Sequence, residues 1–437
     1  MPKIEDMLIE FNPWWKGRFS ISFSPRTVYS QLKKFMEMPQ IIALSGLRRV
    51  GKTTIMLKLV EDAIEQGVDP KNIIYFSFDE FHDTKIREIL NDYQRTLSKN
   101  IDNGRYLLLL DEIQKLDNWA DQVKTIYDMH KGDIKIVVSG SESLFIKKRV
   151  HESLAGRIFE FEVRPLSFSE FIAFKGRKIN NPRLYKRELL QLMNEHILTL
   201  GFPELIGIED KEKIRRYVVD GVIEKIVYRD IPQLFRIDNI GALKSLVNIL
   251  IEEPGQMLEL TSLAADLNID RHTLANYLSY LEESQMIKKL YNYSKNKRKT
   301  ERKLKKYYPA VISPDLLFKD DDYSRSKVFE WYIVMQLCPV FFWRDASKNE
   351  VDIVLDGTTP IEVKYGKVEV GGLLAFLKKF DVKTGYIVSY DKNEEKKFDN
   401  KKIVVEPSYL FLLKALPSRK KAQTRGKEGK ESINSKK

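Results

Sequence analysis

The sequence predicts an α/β protein whose N-terminal part is a parallel sheet covered by helices on both faces. Five short apolar runs lie in the first 166 residues, and helical patterns separate the first four of them. A glycine-rich loop also stands between the first run and a helical pattern that begins near residue 55. The five runs predict strands at 40–45, 72–78, 105–110, 134–138 and 157–163.

The glycine-rich loop has the spacing GxxxxGK[ST] between a strand and a helix, which a phosphate-binding P-loop requires. Its glycines let the backbone turn N–H groups inward, so that these groups and the helix N-terminus meet phosphate charge. Lys52 is expected to reach the β- and γ-phosphates, and the Thr53 hydroxyl to ligate Mg²⁺. The sequence therefore predicts ATP or GTP binding by Gly46, Leu47, Arg48, Arg49, Val50, Gly51, Lys52, Thr53 and Thr54.

A second pattern that points to a nucleotide site is the apolar run 106–110, which ends in Asp111 and Glu112. With a P-loop upstream, Asp111 is expected to hold Mg²⁺ through its water shell, and Glu112 to take a proton from the attacking water. The run 134–138 ends in Ser139-Gly140-Ser141. A hydroxyl there, with Ser141 as the candidate, contacts the γ-phosphate or orients the water; a simple turn explains the residues equally well.

Composition divides the rest of the chain into further units. The stretch 167–253 lacks strand patterns and is predicted to be a helical lid, and 254–312 has the pattern of a winged helix. Residues 313–416 are predicted to be α/β again. The stretch 417–437 consists mainly of charged and small polar residues, which predicts a disordered basic tail.

The net charge of +12 is concentrated in two segments. Residues 288–306 hold ten basic residues against one acidic residue, and 417–437 hold eight against two. This distribution favours a polyanion such as DNA as partner; a solvated, lysine-rich loop in a heat-adapted protein is the alternative. One cysteine, no apolar run near 18 residues and no signal-peptide pattern predict a cytoplasmic protein without a membrane span.

Four charged residues near the C-terminus form a second candidate site. Glu330 is expected within a helix, Asp352 on one strand, and Glu362 and Lys364 on one face of the next strand. Three converging carboxylates suit Mg²⁺, and Lys364 is expected to orient or deprotonate a water that attacks a phosphodiester. The order resembles the PD-(D/E)xK nucleases. A domain that only binds DNA, with Glu362 and Lys364 as an ion pair, remains the alternative.

Taken together, the motifs resemble those of the AAA+ ATPases, and most closely an archaeal group of P-loop ATPases. The resemblance covers most of residues 10–410, and 12–15 (NPWW) and 201–204 (GFPE) also look like this group. Its four main motifs are GxRRxGKT, LLLDEIQ, a serine-rich sensor strand and a later GR, here Gly46–Thr53, Leu108–Gln114, Ser139–Ser141 and Gly156-Arg157.

The resemblance implies an AAA+ αβα core over 1–166, followed by the helical lid, the winged helix and a restriction-endonuclease-like domain. It also implies that Arg157 acts as an arginine finger at the interface of a homo-oligomer, although Arg157 could equally pair with acids of its own subunit. The sequence does not identify a lid sensor arginine, and Arg215 and Arg216 are only guesses for that role.

The sequence therefore favours a P-loop ATPase that uses ATP and Mg²⁺ and acts on DNA, with metal-dependent nuclease activity left open. The alternative is a signalling or scaffold switch that binds a protein partner and carries a degenerate nuclease-like domain. A small-molecule kinase is disfavoured by Asp111, Glu112 and the winged helix.

Overall fold

The computed structural model describes residues 3–81, 84–140 and 153–414 of the 437-residue chain. Within these residues the strands form two sheets, one of five strands and one of nine, and a helical region lies between them in sequence. None of the helices in the described part of the chain has the length and apolar character needed to cross a bilayer. The protein is a mixed α/β protein, which confirms the predicted fold class.

The first sheet consists of five parallel strands: β1 (Ile41–Ser45), β2 (Ile73–Ser77), β3 (Tyr106–Asp111), β4 (Ile134–Gly140) and β5 (Ile158–Glu162). Their order in the sheet is β2-β3-β4-β1-β5. The first unit also contains the helices α1 (Ile4–Phe11), α2 (Thr27–Leu32), α3 (Lys52–Glu65), α4 (Ile86–Leu97) and α5 (Trp119–Met129). Because the strands are parallel, the carboxyl ends of β1, β3 and β4 lie at one edge of the sheet.

Both faces of this sheet are buried. On β1, Ile42 and Leu44 pack into one apolar core, whereas Ile41 and Ala43 pack into a second core on the other face. Leucines of β3 alternate between the two cores in the same way. A strand buried on both faces needs apolar residues at every position, which explains the continuous runs in the sequence.

The segment predicted as a lid consists of helices and turns. Its helices are α6 (Phe168–Phe174), α7 (Lys186–Leu198), α8 (Lys211–Val218), α9 (Ile231–Leu234) and α10 (Ile240–Glu252), and two π-helical turns lie at Val219–Ile223 and Ile226–Asp230. His196 of α7 is fully buried and bonds to the Tyr332 hydroxyl and to the Leu166 carbonyl oxygen, each at 2.9 Å. Burial lowers the pKa of His196 to about 4, so this histidine is a neutral core residue.

The second sheet contains β6 (Gln256–Met257), β7 (Ile287–Asn292), β8 (Lys305–Pro309), β9 (Phe341–Arg344), β10 (Glu350–Leu355), β11 (Thr359–Lys364), β12 (Thr384–Ser389), β13 (Glu394–Phe398) and β14 (Lys401–Pro407). The order is β13-β14-β12-β11-β10-β9-β7-β8-β6. The helices of this part are α11 (Leu260–Asp266), α12 (Arg271–Glu283), α13 (Lys297–Arg302), α14 (Pro314–Phe318), α15 (Asp322–Leu337), α16 (Gly371–Phe380) and α17 (Ser408–Leu413).

This sheet runs across the boundary predicted at residue 312. β7 pairs in parallel with β9 through Tyr291 opposite Phe341, so the predicted winged helix and the predicted nuclease-like unit share one sheet. The basic segment expected to form a wing contains the antiparallel pair β7 and β8, with the short basic helix α13 between the two strands. Pairing between strands about fifty residues apart has no local sequence signature. The composition of the sequence therefore predicted a domain boundary at residue 312 without indicating the shared sheet.

Gly46, where the P-loop begins, lies tightly against the segment that follows β5. A Cβ at this position would lie 2.2 Å from the carbonyl oxygen of Val163, and the Val163 N–H donates to the Ser45 carbonyl at 2.7 Å. Only a glycine therefore allows the loop to leave β1 along this path.

We expect Gly46→Ala to lower the free energy of unfolding by at least about 3 kcal/mol, because strain and a backbone clash add. Gly132→Ala is the matched control: Gly132 also has a positive φ, of +96°, but an added Cβ meets nothing within 4 Å. The control should lose only about 1–2 kcal/mol. Urea unfolding measures both values, and equal losses would contradict the close approach.

Candidate functional site

The predicted P-loop lies at the carboxyl edge of the first sheet. β1 ends at Ser45, the loop follows, and α3 begins at Lys52 after Gly51, which caps the helix in the left-handed region with φ of +96°. The first N–H groups of α3 have no partner within the helix and carry its positive dipole end. The loop and this helix start form an anion-binding geometry.

Lys52 lies inside the loop. Its side chain is 5% exposed, and Nζ donates to the carbonyl oxygens of Gly46 at 3.0 Å and Leu47 at 2.9 Å. Burial lowers the pKa of Lys52, while the negative charges of Glu112 and Asp111 counteract part of that shift. A buried cation held by two loop carbonyls is available to a phosphate that enters the loop.

The side chains of the other predicted loop residues have three different environments. Leu47 and Val50 are buried in the core, so they can offer a ligand only backbone groups. The side chains of Arg48 and Arg49 bond to the helical region. Thr54 is exposed on the first turn of α3.

Asp111 connects the loop helix to the sheet. Its Oδ2 accepts from the Thr53 hydroxyl at 2.7 Å and from the Tyr75 hydroxyl at 2.8 Å. Its Oδ1 accepts from the Ser139 hydroxyl and from the Glu112 N–H, the latter at 3.0 Å. Burial, together with the Asp111 charge, raises the pKa of Tyr75, which therefore remains a donor. The structure thus brings the two predicted Mg²⁺ ligands, Thr53 and Asp111, into contact.

Glu112 follows Asp111 at the end of β3 in the left-handed region, with φ of +51°. Its Oε2 accepts from the Gln114 side chain at 2.6 Å, and its N–H also lies 3.5 Å from Ser139 Oγ. The carboxylate is held beside the loop and partly accessible, as a group that deprotonates a water must be. Ser141, the predicted hydroxyl, lies outside the described residues.

Arg48 joins the P-loop to the helical region. Its Nε and Nη2 donate to the two carboxylate oxygens of Asp230 at 2.6 and 2.8 Å, and the side chains are only 14% and 8% exposed. The Asp230 hydrogen bond raises the pKa of Arg48, outweighing burial. Asp230 closes the second π-helical turn, a rare conformation that is frequent at functional sites.

Arg49 makes a second connection to the same region. It adopts a positive φ of +64°, and its guanidinium lies 4.6 Å from the centre of the Tyr217 ring and 3.4 Å from a Glu204 oxygen. Gly221 of the first π-helical turn leaves room for this guanidinium, since an added Cβ would lie 3.3 Å from it. Glu204 belongs to the GFPE segment, so that motif contacts the P-loop.

Lys115 and Arg229 extend the charged edge of this site. Lys115 pairs with Asp79, and the Arg229 guanidinium lies 3.9 Å from the same carboxylate. Burial, with the nearby charges of Arg229 and Arg48, lowers the pKa of Lys115 to about 8. Neither basic residue was predicted from the sequence, because no motif marks them.

The predicted arginines make contacts away from the loop. Arg157 is one-third exposed and bonds to Asp128 at 2.9 and 3.3 Å in its own chain. Arg215 pairs with Asp315, and Arg216 with Glu212. The arginine-finger role of Arg157 and the lid-sensor role of the other two stay predictions.

The C-terminal candidate residues lie together, with a lysine that the sequence analysis did not single out. Lys306 of β8 is buried, and its Nζ lies 2.6 Å from Glu350, 3.4 Å from Glu330 and 3.5 Å from Asp352. Lys364 pairs with Glu362 at 2.9 Å. No group of three or more His, Cys, Asp or Glu side chains in the described part of the chain is placed to hold a metal ion.

Burial alters how these carboxyls titrate. It raises the pKa of Asp352 to about 6, with a contribution from the Glu330 charge, and that of Glu362 to about 8, with one from Asp352. For Glu330, Lys306 and the Tyr308 hydroxyl outweigh burial and lower the pKa. Oε2 of Glu362 is buried and has no hydrogen-bond partner.

Comparison with protein families gives three matches. Residues 38–172 match a family described as an AAA domain. Residues 190–310 and 328–410 match two families described as domains of unknown function, DUF8612 and DUF4143. The AAA match and the parallel P-loop core support an ATP-binding AAA+ protein.

Relatives occur in archaea and bacteria. An uncharacterized protein of Methanocaldococcus jannaschii is 32% identical over 265 residues, which cover 58% of this chain and 57% of the relative. An uncharacterized Haemophilus influenzae protein is 26% identical over 270 residues, which cover 60% and 65%. The matches thus span less than two thirds of these relatives. Among solved structures, Cdc6p from Pyrobaculum aerophilum aligns with a TM-score of 0.30 at 12% identity, over 71% of this chain and 96% of that chain.

We expect Asp230→Ala to lower the free energy of unfolding by about 3 kcal/mol, because it leaves the Arg48 guanidinium buried without a partner. Asp238→Ala is the control, since Asp238 and its partner Arg236 are 77% and 91% exposed. That change should cost under about 0.5 kcal/mol. Denaturant unfolding of both variants measures the difference, and a similar small loss for Asp230→Ala would show that the pair does not hold the helical region to the loop.

Proposed function

We propose that the chain binds ATP with Mg²⁺ at the loop Gly46–Thr53 and hydrolyses it. The observation that carries this proposal is the direct bond between Thr53 and Asp111, whose neighbours in sequence are Lys52 and Glu112; both acids act electrostatically on Lys52. Phosphoryl transfer to water needs four groups that are present here. They are a helix start, a buried lysine, a hydroxyl beside a carboxylate, and a second, partly accessible carboxylate.

In this proposal the α3 N–H groups and Lys52 bind the β- and γ-phosphates. Thr53 and Asp111 would hold Mg²⁺, which when bound neutralises charge that develops on the phosphate oxygens. Glu112 accepts the proton of the attacking water, and the Gln114 amide orients its carboxylate. Ser139 fixes the Asp111 carboxylate through Oδ1, so that Oδ2 faces Thr53.

We further propose that nucleotide state reaches the helical region through Arg48 and Arg49. These two loop residues contact Asp230, Glu204 and Tyr217, which all lie in that region. A phosphate that enters the loop adds negative charge beside Arg48 and competes with Asp230 for it. Hydrolysis would then change how firmly the helical region is held to the core.

The proposed partner is DNA, contacted by the basic segment between β7 and β8. Lys297, Arg298 and Lys299 of α13 are exposed and form no ion pair among the described residues. Burial and the charges of Lys379 and Lys299 lower the pKa of Lys303, a sign of concentrated positive charge on this surface. A protein-binding switch remains the second candidate, because many such surfaces serve protein partners. The ion pairs around Lys306 favour DNA binding without metal-dependent cleavage.

Lys52→Ala should weaken ATP binding at least about 30-fold, because the phosphates lose a buried charged donor. Glu112→Gln should preserve binding and slow turnover by about 100-fold or more, since an amide cannot accept the proton. Calorimetry measures binding and phosphate release measures turnover. Glu65→Gln, an exposed change on α3, is the control and should alter neither. Near-normal turnover by Glu112→Gln would refute its role.

Replacing Lys297, Arg298 and Lys299 by Gln should weaken DNA binding and flatten its salt dependence. The slope of log affinity against log salt should fall by about 0.9 for each DNA phosphate that the variant no longer neutralises. Replacing Lys16, Lys34 and Lys131, which are exposed in the first unit, removes the same charge elsewhere and controls for net charge. If both triple variants bind DNA with the same affinity and salt dependence, the DNA proposal fails. That result would favour the switch that binds a protein partner.

A further inference from the structure

Lys306 occupies the centre of the carboxylate group in the second sheet. The three carboxylates around it come from α15 (Glu330) and β10 (Glu350 and Asp352), whereas Lys306 comes from β8 of the wing. We call these four residues the Lys306 cluster. An ammonium group has three N–H donors, and here three carboxylates surround it. Lys306 is 5% exposed, so water does not take the place of these partners.

Several oxygens of the cluster have a further donor, among them Glu330 Oε1, which also faces Lys306. Glu330 Oε1 accepts from the Tyr308 hydroxyl at 2.6 Å, and Asp352 Oδ2 accepts from the Val363 N–H at 2.9 Å. The second oxygen of Glu350 lies 3.3 Å from the Arg344 guanidinium. The unpartnered Glu362 Oε2 is one oxygen, whereas Mg²⁺ requires several oxygens at about 2.0–2.1 Å.

We infer that the Lys306 cluster is a cation site that the chain fills with its own lysine, so that the C-terminal unit carries no divalent metal and does not cleave nucleic acid. The nearest oxygens of Glu330, Glu350 and Asp352 lie 2.6 to 3.5 Å from Nζ, and an ion bound to all three carboxylates would coincide with the ammonium. The expected metal set of Glu330, Asp352 and Glu362 does not fit this arrangement.

The Lys306 cluster also has a structural role. Lys306 and Tyr308 of β8 both contact Glu330 of α15, and Lys306 also contacts β10, so these side chains hold β8 to the helix and the strand beside it. Removing the lysine would leave three neighbouring carboxylates without their shared cation. Such a group recruits another cation, and the variant Lys306→Met should therefore acquire a divalent-ion site that the natural chain lacks.

The test titrates Mn²⁺ into the full-length protein without nucleotide and measures free Mn²⁺ by its electron paramagnetic resonance signal. Lys306→Met keeps the length of the side chain and removes the charge. Lys305→Met is the matched control: it changes the same strand and the same net charge, but Lys305 Nζ bonds to the Glu301 carbonyl oxygen rather than to a carboxylate. The double variant Lys306→Met with Asp352→Asn separates this site from any Mn²⁺ at Asp111.

We expect the natural chain and Lys305→Met to show no Mn²⁺ that depends on Asp352. Lys306→Met should bind about one equivalent of Mn²⁺, at least about tenfold more tightly than the natural chain does at this cluster. The double variant should lose this Mn²⁺. A natural chain that binds an equivalent removed by Asp352→Asn, or nicks DNA in an Asp352-dependent way, overturns the inference. So does a folded Lys306→Met that binds nothing. If Lys306→Met does not fold, the comparison of the natural chain with Asp352→Asn decides the question alone. The test needs no ATP, so its outcome is independent of the proposed ATPase function.

Discussion

The carboxylate of Asp111 is the constraint on which the nucleotide end of the molecule depends. It accepts hydrogen bonds from Thr53 at the start of α3, from Tyr75 on β2 and from Ser139 on β4. Tyr75 is itself held by Asn12, whose side chain bonds to both its N–H and its carbonyl group. The NPWW segment therefore supports the site from the outer edge of the sheet. One buried acid thus fixes the position of a helix and three strands relative to one another.

Two further ion pairs connect the units beyond this core. Arg48 and Asp230 join the P-loop to a π-helical turn, and Lys306 of β8 joins its strand to acidic residues of α15 and β10. A buried pair adds little stability over an apolar contact, but breaking it is costly, because the remaining charge has no partner. These pairs therefore specify how the units meet. In the proposed function, a phosphate in the P-loop competes with Asp230 for Arg48 and so weakens the first of these connections.

The sequence predicted what local patterns determine. Apolar runs and short motifs predict the positions of β1 to β5 along the chain, the loop around Lys52, and Asp111 with Glu112 at a strand end. The structure places the loop and the two acids at one edge of one sheet. The sequence could not predict the contacts between residues that lie far apart along the chain. Asp230 lies 182 residues from Arg48, and β7 pairs with β9 although three helices and the strand β8 lie between them in sequence. Lys306 looked like one more charge in a basic run, because its burial arises only when β8 joins the sheet.

The central claim is the proposal that this chain hydrolyses ATP at its P-loop and acts on DNA, and steady-state ATP turnover with and without DNA tests it most directly. Phosphate release by the intact chain should be measured at low salt with duplex, branched and single-stranded DNA of equal nucleotide content. The account predicts that at least one DNA form raises turnover and that added salt abolishes the increase, because phosphate contacts carry the binding. An active ATPase whose rate is the same with every DNA form would contradict it.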